Sequence, residues 1–522
     1  MRLLRSSAVV GAFTMGSRVL GFVRDMLLAA ALGAGPVSEA FIVALRFPNL
    51  FRRLFAEGAF NAAFVPLYAG RVESEGEAEA NAFLKHVISV LVPVLAALVV
   101  VAQVLMPWLM MAIVPGFALD DVDGRFGLAV LFTQITMPYI LLMSLTAMFG
   151  GVLNSHNRFA IAAAAPILLN LVLIAILATA PADAPVIGLR LCIGVTASGL
   201  LQALLLFWGC RRMGVRFAIG LPKLTPGVKR LIALGIPGTF AAGVTQINIV
   251  ISQQIASLQE GAVALLYFAD RLYQLPLGVI GIAMGVALLP TLSRRLRAND
   301  HGSARNAMNR AIEMSMALTL PAAMAMFVMP HLLVEGLFLR GNFNVQAAHG
   351  TALAVQVFAL GLPAFVLIKV FLPGFFARED TKTPMKFAAA SVVVNIVAGL
   401  ALFYLIRVSY PELGHVGLAA ATSFAGWINA SLLMVALLRN GGLDIDARLK
   451  QRLPRIAVAT AIMGVAVGLV AVRSDIIAQW IFDSRLIALI VTCGIGVSVF
   501  GVASLAVGAL RPSEVLAALK KG

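Results

Sequence analysis

Charge is scarce in this 522-residue chain: 12% of its residues are Asp, Glu, Lys or Arg, and 61% are apolar. A soluble globular chain carries about 25% charged and roughly 45–50% apolar residues. A larger core cannot absorb the difference, because the surface of a soluble fold still has to face water. A soluble multidomain enzyme is excluded, as is a disordered or fibrous chain. Cysteine is nearly missing. Cys192, Cys210 and Cys493 are too few and too far apart for a disulfide framework or a metal cluster. The six histidines (His86, His156, His301, His331, His349 and His415) are scattered, and no HExxH, phosphate-loop or nucleophile-elbow motif occurs. No catalytic constellation, metal or cofactor is expected. The acidic residues Glu73, Glu75, Glu77 and Glu79 read as a solvated loop or helix start.

Long apolar runs are what the chain has instead. A helix needs about 20 mostly apolar residues to cross the hydrocarbon core. That ruler gives fourteen spans: 7–32, 36–70, 86–113, 127–152, 160–180, 187–210, 230–257, 262–292, 309–338, 348–377, 384–406, 414–438, 455–472 and 485–510. Pro48 is expected to break the second. The first is not a cleavable signal, because it carries Ser17, Arg18, Arg24 and Asp25 and lacks a small-residue cleavage site. The expected class is an all-α polytopic membrane protein.

The cations test this count. With a cytoplasmic N-terminus, 27 of the forty Lys and Arg residues fall in cytoplasmic segments. Five, Arg125, Arg340, Arg407, Arg473 and Arg485, fall on the opposite side. One missed or invented helix would destroy that asymmetry, so both termini are expected to be cytoplasmic. The net charge of +16 then reflects topology and contact with anionic lipid, not nucleic-acid binding.

The chain also repeats weakly at an offset near 225 residues. Pro138 matches Pro363, Asn170 matches Asn395, Arg46 matches Arg271, and Pro66 nearly matches Pro290. Six spans separate the copies, so both halves have one membrane orientation, as in transporters built from parallel repeats. The expected organisation is a six-helix lobe at 1–212, a cytoplasmic linker at 213–229, a second six-helix lobe at 230–440, and two additional helices within 441–522.

Eight cations remain inside spans: Arg18, Arg24, Arg46, Arg52, Arg53, Arg190, Arg271 and Lys369. Arg190 lies near a span end and snorkels to the interface. An Arg at mid-bilayer costs roughly 2.5–3.5 kcal/mol even on mild scales, so the other seven must face water, protein or substrate. Ser17 and Arg24 share one helical stripe, as do Arg18 and Asp25, with Gly21 permitting close approach between them. Glu39, Arg46 and Arg53 form another stripe, and Asp270 adjoins Arg271. Interhelical ion pairing with Asp25, Glu39, Glu57 and Asp270 falls short on count, leaving three positive charges that need an anion. Six of the seven cations are Arg, whose planar fork suits phosphate. A drug-cation exporter would need surplus carboxylate, and a lipid-processing enzyme would need an acid–base constellation.

The stretches TMGSRVLGFVRDMLLAAALGAG (14–35) and FPNLFRRLFAEGAFNAAFVPLYA (47–69) closely resemble the MurJ (MviN) family of lipid II flippases. YFADRLYQLPLGVIGIAMGVALLPTLS (267–293) and KVFLPGFFAREDTKTP (369–384) resemble that family's second-half motifs. The resemblance runs nearly end to end. It implies a two-lobed, twelve-helix exporter architecture with two further helices that help form a groove for a lipid tail. It also implies the substrate, undecaprenyl-pyrophosphate-linked disaccharide pentapeptide, flipped across the bacterial inner membrane for peptidoglycan synthesis. The partners implied are lipid II, membrane lipids and the cell-wall synthesis machinery. A polysaccharide-precursor flippase of the same superfamily is the alternative. On the resemblance, Arg18, Arg24, Arg52 and Arg271 match cavity arginines, Ser17 and Asp25 match their neighbours, and Arg53 continues the FRR motif. Glu39 and Asp270 are acidic members of the site; Arg46, Gln274, Lys369, Asn248 and Asn395 are supporting positions. Glu39 stands where Asp is expected, which keeps the charge. Gln274 stands where some relatives have Glu. Asn248 and Asn395 bring no carboxylate to spans seven and eleven, which argues against a charged cation site there. The sequence leaves the energy source open among membrane potential, protons and sodium; membrane potential acting on the cavity charge is worth about 2.3 kcal/mol per charge per 100 mV.

Overall fold

The computed structural model describes residues 2–51, 61–179, 183–473 and 484–509; the side chains of 2–8, 51, 61–62, 236–245, 279 and 281–287 lie outside that description. In lipid, backbone polar groups must be satisfied within the segment, so apolar runs become helices. The helices are α1 (Arg2–Leu32), α2 (Pro36–Phe51), α3 (Asn61–Ser74), α4 (Glu77–Val104), α5 (Met106–Ile113), α6 (Pro115–Leu119), α7 (Arg125–Thr136), α8 (Tyr139–Ser155), α9 (Phe159–Ala178) and α10 (Ala184–Arg211). They continue with α11 (Pro226–Ser257), α12 (Ala262–Arg297), α13 (His301–Val328), α14 (Pro330–Phe338), α15 (Val345–Phe376), α16 (Lys382–Ser409), α17 (Gly414–Arg439), α18 (Ala447–Val472) and α19 (Arg485–Ala506). Among the described residues, ten helical stretches are long and apolar enough to cross a membrane. The chain is therefore a multi-pass membrane protein. The other four expected spans fall on α1, on α2 with α3, on α11 and on α12.

Pro48 does not break α2. The helix runs on to Phe51, although a proline removes the hydrogen bond to the carbonyl four residues back. That carbonyl, on Ala44, accepts instead from the Thr136 hydroxyl at 2.8 Å. A side chain of α7 thus satisfies the group that Pro48 orphans. Breaks occur elsewhere: at Leu105 between α4 and α5, at Met137–Pro138 between α7 and α8, and at Met329 between α13 and α14.

The chain divides into two compact units, Met1–Ala264 and Leu265–Gly522. In the first, α9 packs on α1 and α10, while α2 packs on α7 and α10. Phe64, Tyr68 and Phe83 stack within an apolar core shared with Val152 and Leu206. At one end α6 presses on the end of α11. A Cβ on Gly116 would lie 2.1 Å from the Ser257 carbonyl oxygen, so only glycine fits, and the Gly116 N–H donates to Ser257 Oγ at 3.0 Å.

In the second unit α15 packs on α13 and α17, α16 on α17, α18 on α13, and α19 on α18 and α14. Met329, Leu332, Met463, Val467 and Leu489 form the core that joins α18 and α19 to α13 and α14. Helix bounds recur at the offset seen in the sequence: α4, α5 and α9 begin at Glu77, Met106 and Phe159, and α13, α14 and α16 at His301, Pro330 and Lys382. Asp300 caps α13 by accepting the Ser303 N–H at 2.9 Å, and that bond holds its carboxyl below the usual range.

A charged clamp fixes α18 to α13. Buried Glu313 accepts from Arg452 Nη1 at 2.5 Å and from Arg448 at 3.1 and 3.2 Å, and pairs with Arg310. Arg310 also pairs with Asp446, the N-cap of α18. Burial works to raise the Asp446 carboxyl, but the Leu449 amide and Arg310 hold it below its usual range. Removing one partner of a buried ion pair costs about 3–5 kcal/mol, because the other charge stays buried. Glu313→Gln is expected to cost about 3 kcal/mol, since Asp446 still compensates Arg310. Thermal unfolding of purified protein in detergent reads this directly; an unchanged midpoint would show that the clamp contributes nothing.

Candidate functional site

The stripe expected on α1 is real, and α9 lies along it. Ser17 and Arg24 are two turns apart, and Asn170 of α9 bridges them. Arg24 Nη1 donates to Asn170 Oδ1 at 3.0 Å, while Asn170 Nδ2 donates to the Ser17 carbonyl at 2.9 Å and the Ser17 hydroxyl at 3.3 Å. Arg24 also turns Nε and Nη2 onto Asp25 Oδ1, at 3.0 and 2.7 Å. Arg24 and Asp25 are both buried, at 8% and 1% exposure, whereas Arg18 is exposed. Arg24 thus pairs with its own neighbour on α1.

Glu39 goes elsewhere. It is fully buried, accepting from Arg125 Nη1 at 3.2 Å and from the Val263 N–H at 3.0 Å. Arg125, expected as a loop cation, is also fully buried. Its Nε donates to the Asp120 carbonyl at 3.0 Å and its Nη2 to the Gly116 carbonyl at 3.3 Å, with the guanidinium 4.7 Å from the Phe117 ring centre. The structure thus joins Glu39 to Arg125 at the head of α7 rather than along the stripe with Arg46. Arg46 is half-buried on α2. Arg52, Arg53 and Glu57 lie outside the described residues.

In the second unit, α12 carries Asp270, Arg271 and Gln274 together. The Gln274 amide donates to Asp270 Oδ2. The Arg271 guanidinium lies 4.6 Å from the Tyr267 ring centre, within cation–π range. Lys369 is exposed on α15, Asn395 is buried on α16, and Asn248 is half-buried on α11. Among the described residues, no group of three His, Cys, Asp or Glu side chains could hold a metal ion.

The family model for lipid II flippase MurJ matches residues 28–491. A probable lipid II flippase MurJ of Rhizobium meliloti (strain 1021) is 47% identical over 470 residues, covering 89% of this chain and 86% of that protein. The chain belongs to the MurJ family. The lipid II flippase MurJ of Burkholderia cenocepacia is 36% identical, with 84% of this chain and 85% of that protein covered. A solved lipid II flippase MurJ in an inward closed conformation shares the fold at a TM-score of 0.77 and 24% identity, covering 95% and 98% of the two chains. A multidrug-resistance MATE transporter shares it more distantly, at a TM-score of 0.62 and 15% identity over 85% of this chain and 99% of that one.

Two residues that contact the expected site members escape sequence reasoning. Asn170 stands out in the sequence only as a repeat marker, and its reach to Arg24 spans 146 residues. Arg125 sits where the charge rule assigns a loop, and only its fold back onto Glu39, across 86 residues, shows otherwise.

Proposed function

We propose that the chain flips lipid II, the undecaprenyl-pyrophosphate-linked peptidoglycan precursor, from the cytoplasmic to the periplasmic leaflet of the inner membrane. It does so by alternating access, with fourteen spans, two parallel six-helix lobes, two further helices and cytoplasmic termini. The substrate pyrophosphate meets a cavity lined by Ser17, Arg18, Arg24, Asp25, Arg52, Arg53, Asp270 and Arg271. Glu39 supports the cavity from its partnership with Arg125, and Arg46, Gln274, Lys369, Asn248 and Asn395 support it further. One observation carries the charge argument: Arg125 occupies Glu39, so that carboxylate does not cancel a cavity arginine. The surplus positive charge at membrane depth then calls for an anionic substrate, and arginine forks match a pyrophosphate.

The activity test is rescue of a strain depleted of its lipid II flippase, with lipid II exposure on the outer leaflet measured in parallel. No rescue from a protein that inserts and accumulates would defeat the proposal, and rescue of a polysaccharide-precursor flippase mutant alone would favour the superfamily alternative. Topology has its own test. In a cysteine-free background, Lys223→Cys and Ala298→Cys are expected to resist an impermeant thiol reagent added to intact spheroplasts, while Asp121→Cys and Asn342→Cys react. Labelling of Lys223→Cys from outside would break the fourteen-span count.

A further inference from the structure

Resting on the arginine site proposed above, we infer that Asn170 is a positioning residue for that site: it aims Arg24 while leaving its charge intact. Three observations converge on this side chain. Its amide is buried at 5% exposure on α9, where an apolar residue would be the default. Both ends of the amide are used, the oxygen by Arg24 and the nitrogen by the Ser17 carbonyl and hydroxyl. The helix it meets carries Gly21 at the point of approach, where a Cβ would already touch the Asn170 amide at 3.5 and 3.6 Å.

The chemistry explains why the residue is Asn. Arg24 is held from one side by the Asp25 carboxylate and from the other by a neutral carbonyl. A carboxylate at position 170 would accept the same Arg24 bond and would also face the Ser17 carbonyl, which has no hydrogen to donate. It would add a second negative charge beside the Arg24 guanidinium and weaken its attraction for a pyrophosphate. An aliphatic residue would keep the charge but leave the Nη1 bond to position 170 unmade. Asn alone supplies the acceptor, the donor and neutrality in that shape.

The test uses full-length protein in detergent with undecaprenyl pyrophosphate as the probe, at low and high salt, alongside complementation and immunoblot levels. Asn170→Asp is expected to weaken binding by about tenfold or more and to flatten its salt dependence, because one local positive charge is cancelled. Asn170→Ala is expected to weaken binding less, by about threefold to tenfold, with the salt dependence unchanged. The exchange Asn170→Asp with Asp25→Asn restores the charge balance and is expected to recover binding to within about threefold of the parent. A merely structural Asn170 would give losses that follow abundance, and the exchange would do no better than Asn170→Asp alone. Either result overturns the inference, as does parental binding by Asn170→Asp. Arg24→Ala measured beside them separates the levels. Weak binding by Arg24→Ala with parental binding by Asn170→Asp removes only the role of Asn170; parental binding by Arg24→Ala removes the arginine site and the inference with it.

Discussion

Arg24→Ala combined with Asp25→Asn is expected to accumulate at parental levels and still flip lipid II at least tenfold more slowly than the parent. The single change Arg24→Ala is expected to lose both abundance and transport. The difference comes from Asp25, which is 1% exposed and receives two of the Arg24 bonds. Removing the guanidinium alone takes two charge-assisted bonds from that buried carboxylate, at a cost of about 3 kcal/mol. That is a large share of a typical net stability of about 5–15 kcal/mol. Neutralising Asp25 removes the penalty without restoring the fork. Charge-assisted bonds contribute roughly 1.5–3 kcal/mol each, which is about ten- to a hundredfold in binding a pyrophosphate. Lysine at position 24 is expected to rescue only in part, keeping the charge and losing the fork. If Arg24 served only to neutralise Asp25, the double change would restore growth along with abundance. Complementation and immunoblots on the single and double variants decide between the two. Normal growth of the double variant would sink the anion-binding role of Arg24.

The sequence was most legible where one force acts alone. Apolar run length located the helices, because hydrocarbon forces each run to satisfy its own backbone. The Ser17–Arg24 stripe was legible for a similar reason: helical spacing fixes which residues share a face, and α9 occupies that face. Pairing was less legible. The stripe rule sets Asp25 under Arg18, yet Asp25 bonds to Arg24, because a long guanidinium reaches round the helix to its neighbour. Pro48 misled for another reason. A proline removes one helical bond and crowds the carbonyl four residues back, and here Thr136, 92 residues from Ala44, supplies that carbonyl with a donor. The α13–α18 clamp was invisible, since Arg448 and Arg452 fit the pattern of cytoplasmic cations and Glu313 carries no motif. Tertiary partners at such separations leave no local trace in one chain.

Arg125→Ala is expected to be the most destabilising single change in the first unit, and Glu39→Gln to offset much of its cost. The Glu39–Arg125 pair is fully buried, with side-chain exposures of 0% and 1%. Arg125 also satisfies two backbone carbonyls, Asp120 and Gly116, while Glu39 satisfies the Val263 amide. Truncating Arg125 therefore strips Glu39 of this cation and takes one bond each from the Asp120 and Gly116 carbonyls, which keep the Val122 and Asp120 amides, and about 3–5 kcal/mol is expected from the carboxylate. Arg125→Lys reaches fewer of these acceptors, because an ammonium lacks the fork, and is expected to fall between alanine and the parent. Glu39→Gln keeps an acceptor for the Val263 amide and removes the charge. Adding it to Arg125→Ala is expected to recover about 2 kcal/mol, leaving the cost of the lost guanidinium packing and its two carbonyl bonds. Denaturant unfolding in detergent for the four members of this double-mutant cycle measures the coupling between the two side chains. Additive losses would show that the two charges do not compensate each other, and would return Glu39 to the pool of carboxylates available to the cavity arginines.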